Sequence, residues 1–235
     1  KGIHIPFITT LHGTDITLVG KDPSFEPVIT FSINQSDAVT SVSEDLKRDT
    51  YEHFNITREI EVIPNFICPK RHLTQPLNRH LREHYAPNGE RIVMHISNFR
   101  PVKRVNDVVR VFSKILEKMP AKLLFIGDGP DRYAAEKLCR ELGTCKHTSF
   151  LGKVKEIEEI LNLADLFILP SETESFGLSA LEAMISRVPV ISTNTGGLPE
   201  VNENGVSGFL SDVGDIDSMA KNAIHILEDD DRLNQ

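Results

Sequence analysis

From residue 91 onward, short apolar runs alternate with segments whose apolar residues recur at helical spacing. The short runs are strand-like and occupy 91–97, 121–127, 148–152, 166–170, 188–193 and 206–211. The segments with helical spacing occupy 105–119, 131–142, 156–164, a stretch after Gly177, and 216–229. Strands with almost no polar alternation are typical of a parallel sheet that helices cover on both faces. The pattern therefore predicts a doubly wound, Rossmann-like α/β domain over 91–235.

The first part of the chain has the same alternation but fewer elements. It has strand-like segments at 5–13, 38–43 and 60–65, with helical segments at 25–35 and 44–54. These are too few for a complete domain, so we expect 1–67 to be the C-terminal part of a Rossmann-like domain. The polar, Pro-containing segment 68–90 is rich in basic residues and His, which predicts a linker. The first residue is Lys1 rather than Met, and we expect a piece of a longer protein.

The composition narrows the class of protein. The chain has 235 residues, of which 40% are hydrophobic and 26% charged, as in ordinary globular proteins. A formal net charge of −8 argues against a general nucleic-acid surface. No apolar run approaches the roughly 18 residues of a membrane helix, and no signal peptide is visible. Cys68, Cys139 and Cys145 have no zinc or redox spacing, which predicts reduced thiols in a cytoplasmic protein.

Polar loops follow the strands of the predicted second domain. They read SNFRPVKR (97–104), GDGPD (127–131), GKVKE (152–156), SETESFG (171–177) and NTGGLPE (194–200). In open parallel sheets, ligands bind beyond the carboxyl ends of the strands. Five such loops at one edge of one sheet predict a ligand site.

Taken singly, three of these loops have two interpretations. Arg100 and Lys103 belong either to a solvated helix start, with Pro101 setting the turn, or to an anion site. The second interpretation explains why cations stand next to a helix N-terminus, which is itself positive. The G-x-G of 127–129 is either a turn or a weak phosphate signal. The Gly pair at 196–197 is either a turn or a place where the backbone approaches a ligand closely.

The stretch SETESFGLSALEAM (171–184) holds two carboxylates in an apolar setting. Its helix is predicted to carry a packed apolar stripe, formed by Leu178, Leu181, Met184 and Ile185. Glu182 borders this stripe and is either a structural acid, paired to Arg187, or an acceptor for a cis-diol such as a ribose. Glu174 precedes the helix and is expected to face the crevice. The backbone N–H groups of 175–177 can hold sugar hydroxyls or phosphate.

Together these motifs resemble the retaining GT-B glycosyltransferases of family 4. Glu174 and Glu182 match the E-x7-E motif of that family, and GDGP, FLG, PVISTNTGGLPE and NGVSGFL stand where its C-terminal domain has them. The resemblance spans essentially the whole chain. It implies a GT-B fold, with a donor-binding domain at 91–235 and the end of an acceptor-side domain at 1–67. The glycine-rich loop that the family has near its N-terminus is not in this sequence.

The resemblance also implies residue roles. Catalytic roles fall to His12, Glu174, Arg100 and Lys103. Donor-binding roles fall to Asn98, Gly127, Lys153, Val154, Ser175, Phe176, Gly177, Leu178 and Glu182. Glu182 would hold the uridine ribose, Lys103 the diphosphate, and the backbone at 153–154 the uracil. His12, Glu174 and the backbone of 175–177 would hold the donor sugar. Many members have Arg at the position of Asn98, so Arg100 would supply that charge here.

The stretches TLHGTDITLVG (10–20), SVSEDL (41–46) and IEVIPNF (60–66) resemble one member of this family more closely still. That resemblance implies transfer of N-acetylglucosamine from UDP-GlcNAc to L-malate, with retention and without metal or cofactor. The implied partners are a nucleotide-sugar donor and a small-molecule acceptor, with a homo-oligomer as a possibility. This piece alone is expected to be inactive. Three alternatives stay open. They are a family 4 enzyme for another acceptor, such as a cell-envelope or polysaccharide sugar, a non-catalytic nucleotide-sugar-binding module, and an inert Rossmann-like domain.

Overall fold

The computed structural model describes residues 5–14, 16–17, 22–70 and 77–229. The chain divides into two compact units. The smaller unit comprises Lys1–Phe66 with Glu174–Gly177 and Gly196–Glu200. The larger unit comprises Ile67–Thr173, Leu178–Thr195 and Val201–Gln235. Part of the predicted linker, 71–76, lies outside the described residues, as do 15 and 18–21 in the first part of the chain.

The described part of the smaller unit contains a parallel sheet with helices packed beside it. Its strands are β1 (Ile8–Leu11), β2 (Ala38–Ser41) and β3 (Ile60–Val62), in the order β1-β2-β3. Its helices are α1 (Glu26–Gln35) and α2 (Glu44–His53). Ser43 begins α2 by accepting the backbone N–H of Leu46 on its hydroxyl at 3.1 Å. The strands and helices predicted for this part of the chain are therefore confirmed, with shorter strands.

The larger unit is built on a wider sheet whose hydrogen-bonded neighbours are all parallel. Its strands are β4 (Arg91–Ile96), β5 (Ala121–Ile126), β6 (Thr148–Phe150), β7 (Leu166–Leu169), β8 (Val190–Thr193) and β9 (Gly208–Ser211). Their order across the sheet is β6-β5-β4-β7-β8-β9. Strands β5 and β6 thus follow β4 toward one edge of the sheet, and β8 and β9 follow β7 toward the other edge. This confirms the predicted doubly wound sheet.

Helices flank this sheet. The described part of the chain after residue 77 has α3 (Arg79–Tyr85), α4 (Val105–Leu116), α5 (Arg132–Glu141), α6 (Ile157–Leu161), α7 (Leu178–Ile185), α8 (Leu198–Val201) and α9 (Ile216–Leu227). The hydrophobic core joins α4 and α9 to the strands, with Val108, Phe112 and Met219 fully buried. Burial of such side chains is the main driving force for this packing.

The segment predicted as a linker contains helix α3. The side chain of Asn78 caps this helix by accepting the N–H of Leu81 at 3.1 Å. Arg82 donates to the carboxylate of Asp165 at 2.8 and 3.1 Å, so the helix is attached to the larger unit. Its sequence, RHLREHY, has no apolar stripe, and none of its residues is buried. For that reason the hydrophobic pattern does not reveal it.

Helix α7 does not bury the predicted stripe. Leu178 is 43% exposed, and Leu181, Met184 and Ile185 are partly exposed. The buried residues are Ala180 and Ala183, on a helix that packs against β7 and β8. Small side chains let the helix lie close to the sheet, which leaves the larger apolar residues toward its flanks. Helix α8, which spans four residues, is too short for a periodic pattern to predict.

Candidate functional site

The strand order of the larger sheet reverses between β4 and β7. In open α/β sheets this switch point, at the carboxyl ends of the strands, is where ligands bind. The loop after β4 (97–104) and the loop after β7 flank it. They are joined there, because Glu172 donates its backbone N–H to the carbonyl oxygen of Val102 at 2.8 Å.

The loop after β4 carries a concentration of positive charge. Pro101–Lys103 form a single 3₁₀ turn, as the interpretation with Pro101 setting the turn predicts. Arg104 has a left-handed backbone, with φ 48°, and its guanidinium contacts the Asp107 carboxylate at 2.6 Å. Arg100 is exposed and has no ion-pair or hydrogen-bond partner for its side chain among the described residues. Arg104 is thus paired within the protein, through a carboxylate that also contacts Arg110 at 2.7 Å, whereas Arg100 remains available to an anion.

A buried histidine lies under this loop. His95 in β4 is fully buried, its Nδ1 is 2.8 Å from the carbonyl oxygen of Ile168, and its Nε2 is 2.8 Å from Ser97 Oγ. Burial lowers the pKa of His95 to about 4, the hydrogen bond to Ile168 opposes this shift, and the charge of Lys103 adds to it. Sequence reasoning missed both His95 and Ser97. The available signal was a histidine within the apolar strand RIVMHIS.

The glycines of GDGP pack against the loop after β4. A Cβ at Gly127 would lie 1.8 Å from the carbonyl oxygen of Ser97, and one at Gly129 would lie 2.0 Å from that of Asn98. Gly127 also donates its N–H to the carbonyl of Gly152 at 2.8 Å. These glycines therefore serve close contact between loops, which favours the turn interpretation of this motif.

The residues predicted to contact the uracil base also lie at this edge of the sheet. Lys153 and Val154 follow β6, where Lys153 is exposed and Val154 is partly buried. Asn98 is exposed in the loop after β4. The loops after β4, β5 and β6 are consecutive along the sheet, since β5 lies between β4 and β6.

Glu182 lies in α7, one turn after the helix begins, and its carboxylate is partly buried. Among the residues that the structure describes, this carboxylate has no hydrogen-bond or ion-pair partner. Burial raises its pKa above 4.5, and the nearby charge of Glu158 raises it further. The alternative pairing with Arg187 is not formed, and Arg187 is exposed. The Glu182 carboxylate is therefore a hydrogen-bond acceptor without a donor among the described residues.

The smaller unit holds the segment that carries Glu174. The Ser43 hydroxyl donates to the carbonyl of Ser175 at 2.7 Å, and a Cβ at Gly13 would lie 1.7 Å from Ser175 Oγ. His12, next to Gly13, is exposed. Phe176 is 8% exposed. Gly177 is buried with φ 96°, a conformation that favours glycine. Close packing therefore defines the backbone of 174–177.

The Gly pair at 196–197 approaches this same backbone. Gly197 donates its N–H to the carbonyl of Glu174 at 2.8 Å, and a Cβ at Gly196 would lie 2.0 Å from that oxygen. Residues 196–197 form a turn whose close contact is with protein backbone, which favours the turn interpretation of this pair. Glu200, at the end of the same motif, accepts the N–H groups of Glu44 and Asp45 at 2.9 Å each, at the N-terminus of α2.

In the described ranges, no group of three or more His, Cys, Asp or Glu side chains is arranged to hold a metal ion. Asp215 caps α9 by accepting the N–H of Ser218 at 3.0 Å, and its hydrogen bonds with Ser218 lower its pKa. None of the described helices combines the length and apolarity needed to cross a bilayer.

Comparison with family models gives two matches. Residues 78–235 match the model described as "Glycosyl transferases group 1", and residues 1–71 match "Glycosyltransferase Family 4". Together they account for nearly the whole chain, and the first alone covers more than half of it.

Curated relatives agree with these matches. The chain is 44% identical over 230 residues to the N-acetyl-alpha-D-glucosaminyl L-malate synthase of Bacillus anthracis, covering 98% of this chain and 60% of that protein. It is 29% identical over 208 residues to a GDP-mannose-dependent alpha-(1-6)-phosphatidylinositol monomannoside mannosyltransferase of Mycobacterium tuberculosis, covering 84% of this chain and 54% of that protein. The chain thus spans less than two thirds of the length of these relatives.

A solved structure shares the fold. The crystal structure of Anabaena Alr3699/HepE in complex with UDP and glucose superposes with a TM-score of 0.86 at 21% identity, covering 97% of this chain and 63% of that one. This likeness confirms the predicted α/β fold of the GT-B type. The coverage is consistent with a chain that represents part of that fold.

Proposed function

The chain belongs to the family of group 1 glycosyl transferases, and on that premise we propose that it is the donor-binding part of a retaining enzyme that transfers N-acetylglucosamine from UDP-GlcNAc to L-malate. This reaction is the first step of bacillithiol synthesis. The identity to the Bacillus anthracis synthase supports this donor and acceptor over others in the family.

The observation that carries the proposal is the carboxylate of Glu182. It is partly buried, has a raised pKa, and has no donor among the described residues. Partial burial of an unpaired carboxylate is unfavourable, so such a group is retained where a ligand supplies the donors. The two hydroxyls of a ribose are suitable donors, because a carboxylate accepts two O–H groups at once. In this proposal Glu182 binds the ribose of uridine.

The loop after β4 supplies positive charge for the diphosphate. Arg100 and Lys103 lie on a loop at the switch point of the sheet, the position at which anionic groups of nucleotides bind in α/β folds. In this proposal both side chains bind the diphosphate and stabilise the charge that grows on it as the glycosidic bond breaks. No metal is assigned to this step.

The other assigned residues would contact the base and the sugar. The backbone at 153–154 would face uracil, near the exposed Asn98 and Gly127. Glu174 and the N–H groups of 175–177 would bind hydroxyls of N-acetylglucosamine, with Leu178 beside them at the start of α7. His12 would contact the same sugar. The packing of Gly13 and Ser43 against Ser175 supports a rigid backbone at this position.

The chemistry follows from retention. The bond from the anomeric carbon to the diphosphate oxygen breaks, and a bond from that carbon to the malate hydroxyl oxygen forms on the same face. The departing diphosphate oxygen then lies beside the attacking hydroxyl and can take its proton. The protein contributes orientation and electrostatic stabilisation and forms no covalent intermediate.

A second candidate is a family member with another donor or acceptor. It is favoured by the similarity to the GDP-mannose-dependent mannosyltransferase. Titration calorimetry of the chain with UDP and with GDP separates the two donors, since the first proposal predicts binding of UDP and not of GDP. An inert Rossmann-like domain would bind neither nucleotide.

Activity must be tested on the whole enzyme. With UDP-GlcNAc and L-malate it is expected to release UDP and form an α-linked product, and this 235-residue part alone is expected not to. His12→Ala in the whole enzyme should reduce transfer strongly and leave UDP affinity nearly unchanged. Equal loss of transfer and UDP binding, with a lower melting temperature, would assign His12 a structural role instead.

A further inference from the structure

A chain of hydrogen bonds runs from the core of the larger unit to the loop after β4. His95 contacts the carbonyl oxygen of Ile168, in the neighbouring strand β7, through Nδ1 at 2.8 Å. Its Nε2 contacts Ser97 Oγ at 2.8 Å, and Ser97 Oγ accepts the backbone N–H of Phe99 at 3.2 Å. These hydrogen bonds therefore connect β4 and β7, the two strands that flank the switch point, with the first residues of the loop after β4.

The chemistry of each partner sets the direction of these bonds. A carbonyl oxygen only accepts, so Nδ1 of His95 carries the proton and donates it to Ile168. Burial keeps the ring neutral, so Nε2 is unprotonated and accepts the Ser97 hydroxyl. The hydroxyl oxygen then accepts the N–H of Phe99. Every polar side-chain atom of His95 and Ser97 is used in one consistent arrangement.

Phe99 is where this arrangement acts on the loop. Its backbone is left-handed, with φ 42°, which is uncommon for a residue with a large side chain. Its ring is fully buried, 5.6 Å from the ring of Phe125 and 6.2 Å from that of His95. Its carbonyl oxygen accepts the N–H of Asp131 at 2.9 Å. The N–H, the ring and the carbonyl oxygen of Phe99 thus all have partners, which stabilise a backbone conformation that is otherwise rare.

Arg100 immediately follows this turn, and Lys103 ends the 3₁₀ helix that Arg100 begins. We propose that His95 and Ser97 are positioning residues of the donor site, which hold the turn at Phe99 so that Arg100 and Lys103 meet the donor diphosphate. The inference rests on the proposed function, because it takes the diphosphate as the ligand of these two cations. Neither His95 nor Ser97 touches the ligand.

Four variants of the 235-residue chain test this role by UDP calorimetry and melting temperature. Ser97→Ala removes the acceptor for Phe99, and Ser97→Thr keeps a hydroxyl there. His95→Asn keeps a donor for Ile168 but removes the acceptor for Ser97. The matched control is Ile92→Val, a small core truncation at the opposite end of β4, where Ile92 is fully buried.

The positioning role predicts that Ser97→Ala and His95→Asn bind UDP roughly five- to tenfold more weakly, the effect of one lost hydrogen bond. Ser97→Thr should restore affinity to within about twofold, and Ile92→Val should lower the melting temperature while keeping UDP affinity within about twofold. A merely structural role predicts lower melting temperatures for Ser97→Ala and His95→Asn with unchanged UDP affinity, and that result would overturn the inference.

A long-range ¹H–¹⁵N spectrum of the unsubstituted chain tests the same arrangement without a substitution. The inference requires the Nδ1–H tautomer of His95 at neutral pH, and an Nε2–H tautomer would overturn it. If the wild type binds UDP and Ser97→Ala binds it equally well, the positioning role is contradicted but the proposed function is not. If the wild type does not bind UDP, the proposed function fails as well.

Discussion

Glu158 is the charged group that acts on Glu182, and both are carboxylates. Two like charges near each other, one of them partly buried, are unfavourable for the protein without ligand. A structural acid would instead be expected beside a donor. Under the proposed function, Glu182 is retained for binding at a cost to stability.

Glu182→Leu should decide between these roles. The substitution removes a carboxylate that has no protein donor in the described structure, so the melting temperature should stay equal or rise. UDP binding should be lost. Calorimetry and thermal melting on the same sample measure both. A destabilised variant that still binds UDP normally would identify Glu182 as a structural carboxylate.

Glu182→Gln refines this test with a pH series. Its UDP affinity should fall by about 1–3 kcal/mol, because an amide keeps one acceptor but loses the charge. The raised pKa means that ionised Glu182 destabilises the fold above that pKa, and that this penalty disappears below the ordinary value of 4.5. The stability gain of Glu182→Gln should therefore be present at pH 7 and vanish below about pH 4. A gain that persists in acid would contradict this.

Lys103→Ala should weaken UDP binding by about 1.5–3 kcal/mol, the range for charge-assisted hydrogen bonds. The loss should shrink as salt rises, since salt screens the attraction to the diphosphate. The matched control is Lys137→Ala, where an exposed lysine 3.7 Å from Glu141 is removed from helix α5. Calorimetry at low and high salt compares the two. Equal UDP affinity in both variants would remove Lys103 from the site.

His95 should make stability depend on pH. Its pKa is about 4 in the folded protein against an ordinary 6.5, so unfolding takes up a proton in between. The stability that neutral His95 contributes is full above pH 6.5 and is lost as the pH falls toward 4, on the order of 3 kcal/mol in all. Denaturant unfolding of the wild type and His95→Asn should show this slope only in the wild type. His225→Asn, at an exposed histidine, should keep it.

Gly196→Ala should disturb the segment that carries Glu174. The new Cβ would lie 2.0 Å from the Glu174 carbonyl oxygen, at a residue with φ 57°. Gly205→Ala, at φ 82° with nothing within 4 Å, is the control for strain alone, which costs about 1–2 kcal/mol. Gly196→Ala should lose more stability than the control and bind UDP-GlcNAc less well relative to UDP. An unchanged ratio of the two affinities would argue against a sugar-binding role for Glu174.

The order of strands and helices could be predicted because apolar runs and helical spacing are local features. Val108, Phe112 and Met219 follow the helical spacing and lie in the core. The same approach failed for α7, because small Ala180 and Ala183 face the sheet while larger residues such as Leu178 remain exposed. The distance between a helix and a sheet depends on the side chains of both, so the helix sequence alone does not predict it.

The site could be predicted only as a set of loops at one edge of a sheet. The pairing of Arg104 with Asp107 and the contact of Gly196 with Glu174 depend on loop geometry, so the sequence could not separate structural from available charges. The hydrogen bonds of His95 were missed for the same reason. Ile168 lies in a different strand, and only the sheet order brings the two together.

Amide hydrogen exchange of the chain with and without UDP reports both whether UDP binds and which segments it contacts. The account predicts slower exchange on UDP addition in 97–104, 152–154 and 178–182, the segments at the carboxyl edge of the larger sheet. It predicts unchanged exchange at 113–120 and 205–209, which lie outside this edge. Protection of the latter segments, or of none, would contradict a donor site at the switch point.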